Sequence, residues 1–160
     1  MKITISLPRI GKIIVFWFFT YSFIGTSVFA QNCNAELVVE NNRNTRSANE
    51  DGAVFSLVLT NSSSITTTYN ITTLNLEKSC ANKNRGTSLS NVNLNIVIQG
   101  NTQISLSAGQ SYSFKIQVSV PSGTPYYRWS CIEVQAKSDE CNSISANILL
   151  KVYVPNPTEE

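Results

Sequence analysis

Between residues 111 and 120 the chain alternates without a break. Tyr112, Phe114, Ile116, Val118 and Val120 fall on one side, and Ser111, Ser113, Lys115, Gln117 and Ser119 on the other. A period of two over this length lays one face of a strand on a core and turns the other to water. The stretch follows the turn signal Ala108-Gly109-Gln110 and stops at Pro121, a residue that cannot donate to a ladder. Residues 53–60 place Phe55, Leu57 and Leu59 on one face but Val54 and Val58 on the other, the pattern of a strand covered on both sides. Residues 66–76 are rich in β-branched side chains, which suit a pleated surface better than a helix. Residues 92–98 alternate Val92, Leu94, Ile96 and Ile98 against Asn93, Asn95 and Val97.

Four further segments read as strands. They are 35–39, the short 103–106, and the pair 128–136 and 144–154 around a turn containing Ser138-Asp139-Glu140. After residue 30 no window of eleven residues has a helical period. Asn, Ser and Thr make up 47 of the last 130 residues, and these types favour turns and solvent-facing strand positions over helix interiors. Seven or eight short strands in one such length predict an all-β fold, a β-sandwich.

The first thirty residues follow another pattern. Lys2, Arg9 and Lys12 precede an uncharged run over 13–25, and small side chains at Val28 and Ala30 follow it. This is the order of a secretory signal, with cleavage expected after Ala30. The run is short of the roughly 20 residues a membrane span needs, so no stable span is expected after cleavage. The domain plan is a signal peptide over 1–30, a sandwich over 31–154 and a flexible tail over 155–160.

Cleavage changes the charge picture. The whole chain carries 12 Lys and Arg against 10 Asp and Glu. Beyond Ala30 the balance is nine against ten, a net charge near −1. So nearly neutral a surface offers no footprint for a phosphate backbone, and nucleic acid is not an expected partner. Histidine is absent, which removes His-dependent triads and Cys–His pairs. The acidic pairs Glu50-Asp51 and Asp139-Glu140 sit beside turns, where carboxylates are ordinarily solvated. Neither pair has the alternation of a calcium loop. No enzyme activity, metal or other cofactor is expected.

The four cysteines, Cys33, Cys80, Cys131 and Cys141, all follow residue 30. In an exported chain an even number reads as two disulfides. No pair has the Cys-x-x-Cys spacing of a redox site or the clustered spacing of a zinc site.

Leu59-Thr60-Asn61-Ser62, and the run Leu106-Ser107-Ala108-Gly109 through Phe114 to Val120-Pro121, resemble the strand-and-turn elements of bacterial secreted immunoglobulin-like and fibronectin type III-like domains. Such elements carry backbone geometry and core packing, so the resemblance implies an immunoglobulin-like β-sandwich with two disulfides and no particular chemistry. The chain departs from antibody-type domains. Residues 53–60 hold no cysteine, and Trp129 falls on the penultimate strand. In a sandwich of this kind, Cys33 and the 136–144 turn lie at one end, while Cys80 and the start of 128–136 lie at the other. A bridge needs Cα atoms within about 7 Å, so Cys33–Cys141 and Cys80–Cys131 are expected. The rival pairing is Cys131–Cys141 with Cys33–Cys80.

Tyr126, Tyr127 and Trp129 cluster where residues 128–136 begin, and form the candidate binding surface. Either Tyr127 and Trp129 share a face and fill the core, or Ile132, Val134 and Ala136 do so and the aromatics look outward. Exposed aromatics on a sandwich can stack a sugar or anchor a protein. A third device is strand addition along an open sheet edge at 35–39, 92–98 or 144–154. The expected function is a secreted, non-enzymatic module that contacts an envelope or extracellular protein, or a glycan, at the cell envelope or surface. The alternative is a carbohydrate-binding module using the three aromatics.

Overall fold

The computed structural model describes residues 33–49, 51–77, 91–141 and 143–159. The chain divides into two units, Met1–Ala30 and Gln31–Glu160, and every described residue belongs to the second. The signal-like segment, Glu50, and residues 78–90 with Cys80 lie outside the described residues.

Nine strands are described, against the seven or eight expected. They are β1 (Ala35–Val39), β2 (Thr45–Ser47), β3 (Ala53–Asn61), β4 (Thr67–Leu76), β5 (Asn95–Gln99), β6 (Gln103–Leu106), β7 (Ser111–Ser119), β8 (Arg128–Ser138) and β9 (Ser143–Val154). The additional strand is β2, three exposed polar residues paired parallel to Lys151–Tyr153 of β9. With no apolar side chain in it, hydropathy could not mark it. The first sheet has the order β1-β3-β7-β5 and the second β2-β9-β8-β4-β6. The first order, and the run β9-β8-β4 in the second, are those of the two layers of an immunoglobulin-like sandwich. They do not single out the fibronectin type III variant.

The core lies between the two sheets. From the first come Phe55, Leu57 and Leu59 of β3 and Phe114, Ile116 and Val118 of β7. From the second come Tyr69 and Ile71 of β4, Ile132 and Val134 of β8, and Leu150 and Val152 of β9. Register fixes this. Phe55 pairs with Ile116 and Leu57 with Phe114, so a slip of one residue would turn every one of these side chains outward. Each such side chain contributes about 1.5–3 kcal/mol on burial. The other face of β3 is not covered as its apolar content led one to expect, for Val54 is 39% exposed.

Cys33 and Cys141 are joined, with Cα atoms 6.2 Å apart, which rules out the rival pairing. Two bridges are expected from the sequence, and this is the one described. Cys131 is disulfide-bonded rather than a free thiol, and its expected partner Cys80 lies outside the described residues.

Candidate binding cleft opposite the disulfide

At the disulfide end, polar side chains are engaged in holding the fold. Asn61, fully buried, donates from Nδ2 to the carbonyls of Ile65 (2.7 Å) and Leu106 (2.9 Å). Its Oδ1 accepts from Ser63 N (2.9 Å), Ser63 Oγ (2.7 Å) and the Tyr69 hydroxyl (2.8 Å). The Leu59-Thr60-Asn61-Ser62 element is thus a structural hub. The neighbouring acids are engaged too. Glu140 accepts from the Thr68 backbone amide (2.9 and 3.1 Å) and from Ser138 Oγ (3.0 Å). The Thr68 amide is the main reason that its carboxyl is held below the usual range. Asp139 accepts from Asn70 Nδ2 and from Gln103 Nε2. These carboxylates clip the β8–β9 turn to β4 and β6 rather than facing each other across a cleft as a glycosidase pair would.

The opposite end is open. A cleft of about 520 Å³ is lined by Asn49 and Asp51 before β3, by the turn 121–124 after β7, by Tyr126, and by Pro155 and Pro157 after β9. Its walls are held by local geometry. The Gly52 amide donates to the Asn49 carbonyl at 2.8 Å. Gly52 has φ +80, and a Cβ there would come within 2.2 Å of the Val118 carbonyl oxygen, so only glycine fits beside Asp51 at the rim. On the far wall the Thr124 amide donates to the Pro121 carbonyl at 3.1 Å. Gly123 with φ +81 occupies the third position of that turn, where a type II turn calls for glycine.

Tyr126 projects at this rim because of its neighbour. Tyr127 adopts φ 57, a left-handed conformation that is an outlier for a bulky side chain. Hydrogen bonds help to hold it. Its amide donates to the Val154 carbonyl at 2.7 Å, and its hydroxyl accepts from Asn156 Nδ2 at 3.2 Å. The reversal at Tyr127 feeds the chain into β8 and leaves Tyr126 48% exposed on the cleft.

The three aromatics do not form one surface. Tyr126 lines the cleft. Tyr127 braces the turn against the segment after β9. Trp129 lies on the outward face of the second sheet, half-buried, its ring 5.1 Å from that of Tyr153 and tilted by 48°. The core-filling reading of Trp129 is therefore corrected. Ile132, Val134 and Ala136 fill the core, and alternation from them turns Trp129 outward. Sequence reasoning treated Asp51 only as one of an acidic pair, and did not bring Asn49, Pro155 or Pro157 to the site. They lie far apart along the chain, and only the Gly-Pro punctuation around 52, 121–125 and 155–157 marks those segments as turns.

Of the candidate edges, β1 and β5 do end the first sheet. Residues 144–154 do not form an edge along their whole length, because β2 covers Lys151–Tyr153. Among the described residues no three His, Cys, Asp or Glu come together as a metal site would require.

No protein family matches the chain, and no curated protein sequence matches it. Solved structures of similar shape include a FixG-related protein from Vibrio parahaemolyticus, with 8% identity over 76% of this chain and 94% of that one, at a TM-score of 0.48. The periplasmic chaperone SfaE is similar at 15% identity over 77% of this chain and 58% of its own, TM-score 0.48. The E. coli chaperone DraB is similar at 14% identity over 78% and 57%, TM-score 0.46. The chain spans little more than half the length of each chaperone.

Proposed function

We propose that this chain is an exported, non-enzymatic binding domain that receives its ligand in the cleft at the end opposite Cys33–Cys141. Export is supported by the signal-like first thirty residues and by a disulfide, a bond that persists in oxidising compartments. A binding role without catalysis is supported by the chemistry of the two ends. The Asp139-Glu140 pair is engaged by backbone and amide donors, while the described residues of the cleft offer one carboxylate, amide and hydroxyl groups, proline walls and an aromatic ring. Such a mixture orients a ligand and supplies no nucleophile–base pair.

The observation that carries the reading is Tyr126, half-exposed on the cleft through an unfavourable backbone angle at Tyr127. Strained residues persist where the surroundings over-determine them, and they cluster at functional sites. The test is a photo-crosslinking residue in place of Ser122 on the cleft, with the same residue in place of Thr72 on the outward face of β4 as the comparison. In the native envelope, the cleft position captures a defined adduct and the β4 position does not. Equal labelling at both positions, or none at either, refutes the reading.

A second reading, contact with an envelope protein through the outward face of the second sheet, is favoured by Leu74, 55% exposed. In that reading the adduct forms at Thr72 instead.

A further inference from the structure

We propose that the cleft takes a neutral oligosaccharide, with the Tyr126 ring as the platform for one face of a pyranose and the Asp51 carboxylate accepting from its hydroxyls. This rests on the cleft being the binding site and names the class of its ligand.

Four observations lead there. First, the volume of about 520 Å³ falls within the range of small-molecule sites, about 300–1,000 Å³, and admits a short oligosaccharide. Second, the lining is mixed. Tyr126 and the rings of Pro121, Pro155 and Pro157 present flat apolar surface, while Asp51, Asn49 and Ser122 present polar groups. A pyranose is amphipathic in the same way, with C–H bonds on its faces and hydroxyls around its rim.

Third, the balance of donors favours a sugar over an extended peptide. Three lining residues are prolines, which have no N–H to give, so these stretches cannot run a ladder of amide donors along a peptide. Asp51 is acceptor-only when ionised, and a ring of hydroxyl donors complements it. Fourth, Asp51 is the only charged residue in the described lining, and no Lys or Arg accompanies it. An acidic sugar would bring a second negative charge to a lining with no cation among its described residues, a repulsive pairing. The class is therefore narrowed to neutral hexose or N-acetylhexosamine chains.

The backbone beside each of the two main groups is constrained. Gly52, next to Asp51, has no room for a Cβ beside the Val118 carbonyl, and Tyr127, next to Tyr126, has φ 57. Both depend on backbone angles that few residues adopt.

The experiment is isothermal titration of the processed, oxidised protein with tetrasaccharides of glucose, mannose, galactose and N-acetylglucosamine, and with tetragalacturonate as the acidic probe. At least one neutral tetrasaccharide binds and tetragalacturonate does not. Tyr126→Ala lowers the affinity about tenfold or more, as loss of an aromatic anchor does, whereas Tyr126→Phe keeps it. Asp51→Asn weakens binding. Trp129→Ala, on another face, leaves it unchanged. Melting temperatures of the Tyr126→Ala and Asp51→Asn variants within a degree or so of the parent exclude misfolding as the cause. The proposal is overturned if no neutral tetrasaccharide binds, if tetragalacturonate binds more tightly than all of them, or if binding survives Tyr126→Ala. If no sugar binds while the Ser122 crosslinker still captures a protein, the sugar class fails and the cleft reading stands. If neither occurs, both fail.

Discussion

Tyr69 donates its phenolic hydrogen to Asn61 Oδ1 at 2.8 Å, with both residues wholly buried at the disulfide end of the sandwich. The contact closes a hub built on two side chains with no exposed surface. Truncating Asn61 removes the Nδ2 donor to the Ile65 and Leu106 carbonyls and the acceptor of Ser63 N, Ser63 Oγ and the Tyr69 hydroxyl. The Tyr69 hydroxyl keeps the Asn34 carbonyl at 3.3 Å and Ser63 Oγ keeps the Ile65 carbonyl at 2.9 Å, and each group left buried without a partner costs about 1–3 kcal/mol. Asn61→Ala is expected to destabilise the domain by about 3 kcal/mol or more. Tyr69→Phe, which removes one donor and keeps the ring, should cost about 1–2 kcal/mol. Urea denaturation of the oxidised protein measures both. An Asn61→Ala variant within error of the parent would refute the hub.

The same phenol makes stability depend on alkaline pH. Burial raises the Tyr69 pKa above its ordinary value, so the folded state holds the proton more tightly than the unfolded chain does. This contribution is fully present below about pH 10, the unfolded value, and is lost as pH rises from there through the folded pKa. A urea midpoint followed from pH 8 to 11 should fall on that limb, and should fall less steeply in Tyr69→Phe.

How much of this was legible depended on which residues carry their own signal. The strict alternation at 111–120 located β7 and its core face because burial on one side only leaves a period of two. Strand β2 was silent because Thr45, Arg46 and Ser47 are polar and exposed and join β9 by strand pairing, which leaves no hydrophobic period. The face of β8 was ambiguous because both alternating sets hold apolar residues, and Trp129 is matched by Tyr153 on the outward side. The aromatic cluster of the candidate site could be seen in the chain, but its division could not. That division comes from the reversal at Tyr127, and a left-handed tyrosine has no sequence signature. Asp51 reaches the cleft through packing of Gly52 on β7, a contact between segments that no local pattern encodes.

The outward placement of Trp129 has an energetic consequence. Ile132→Ala empties a site between the sheets and is expected to cost about 3 kcal/mol or more. Trp129→Ala removes a half-buried ring and its contact with Tyr153, and is expected to cost about 1 kcal/mol. Thermal or urea denaturation of the two variants gives their order. The reverse order would return Trp129 to the core.

At the acidic end of the pH range the relevant group is Glu140. The Thr68 backbone amide stabilises its ionised form and lowers its pKa. The stability this gives is present above the unfolded carboxyl value, about 4.3, and is lost as pH falls through the lower folded value. Glu140→Gln should flatten the fall in melting temperature between pH 5 and pH 2 (a range set by those carboxyl values). An acid limb identical to the parent's would mean that the clip to β4 does not bear on folding.

The last expectation concerns the sulfurs. Cys33–Cys141 closes a loop with a sequence separation of 108, and such a cross-link stabilises chiefly by restricting the unfolded chain, by about 2–5 kcal/mol. Replacing both cysteines by serine should lower stability by that amount, and should leave cleft binding intact because the bridge lies at the other end of the sandwich. We propose that Cys131, which is not a free thiol, pairs with Cys80. Digestion without reductant, with thiols blocked beforehand, should yield one peptide pair joining residues 33 and 141 and one joining 80 and 131. A blocked thiol at Cys80, or a cross-link from Cys131 to any other position, would break that assignment while leaving the first bridge untouched.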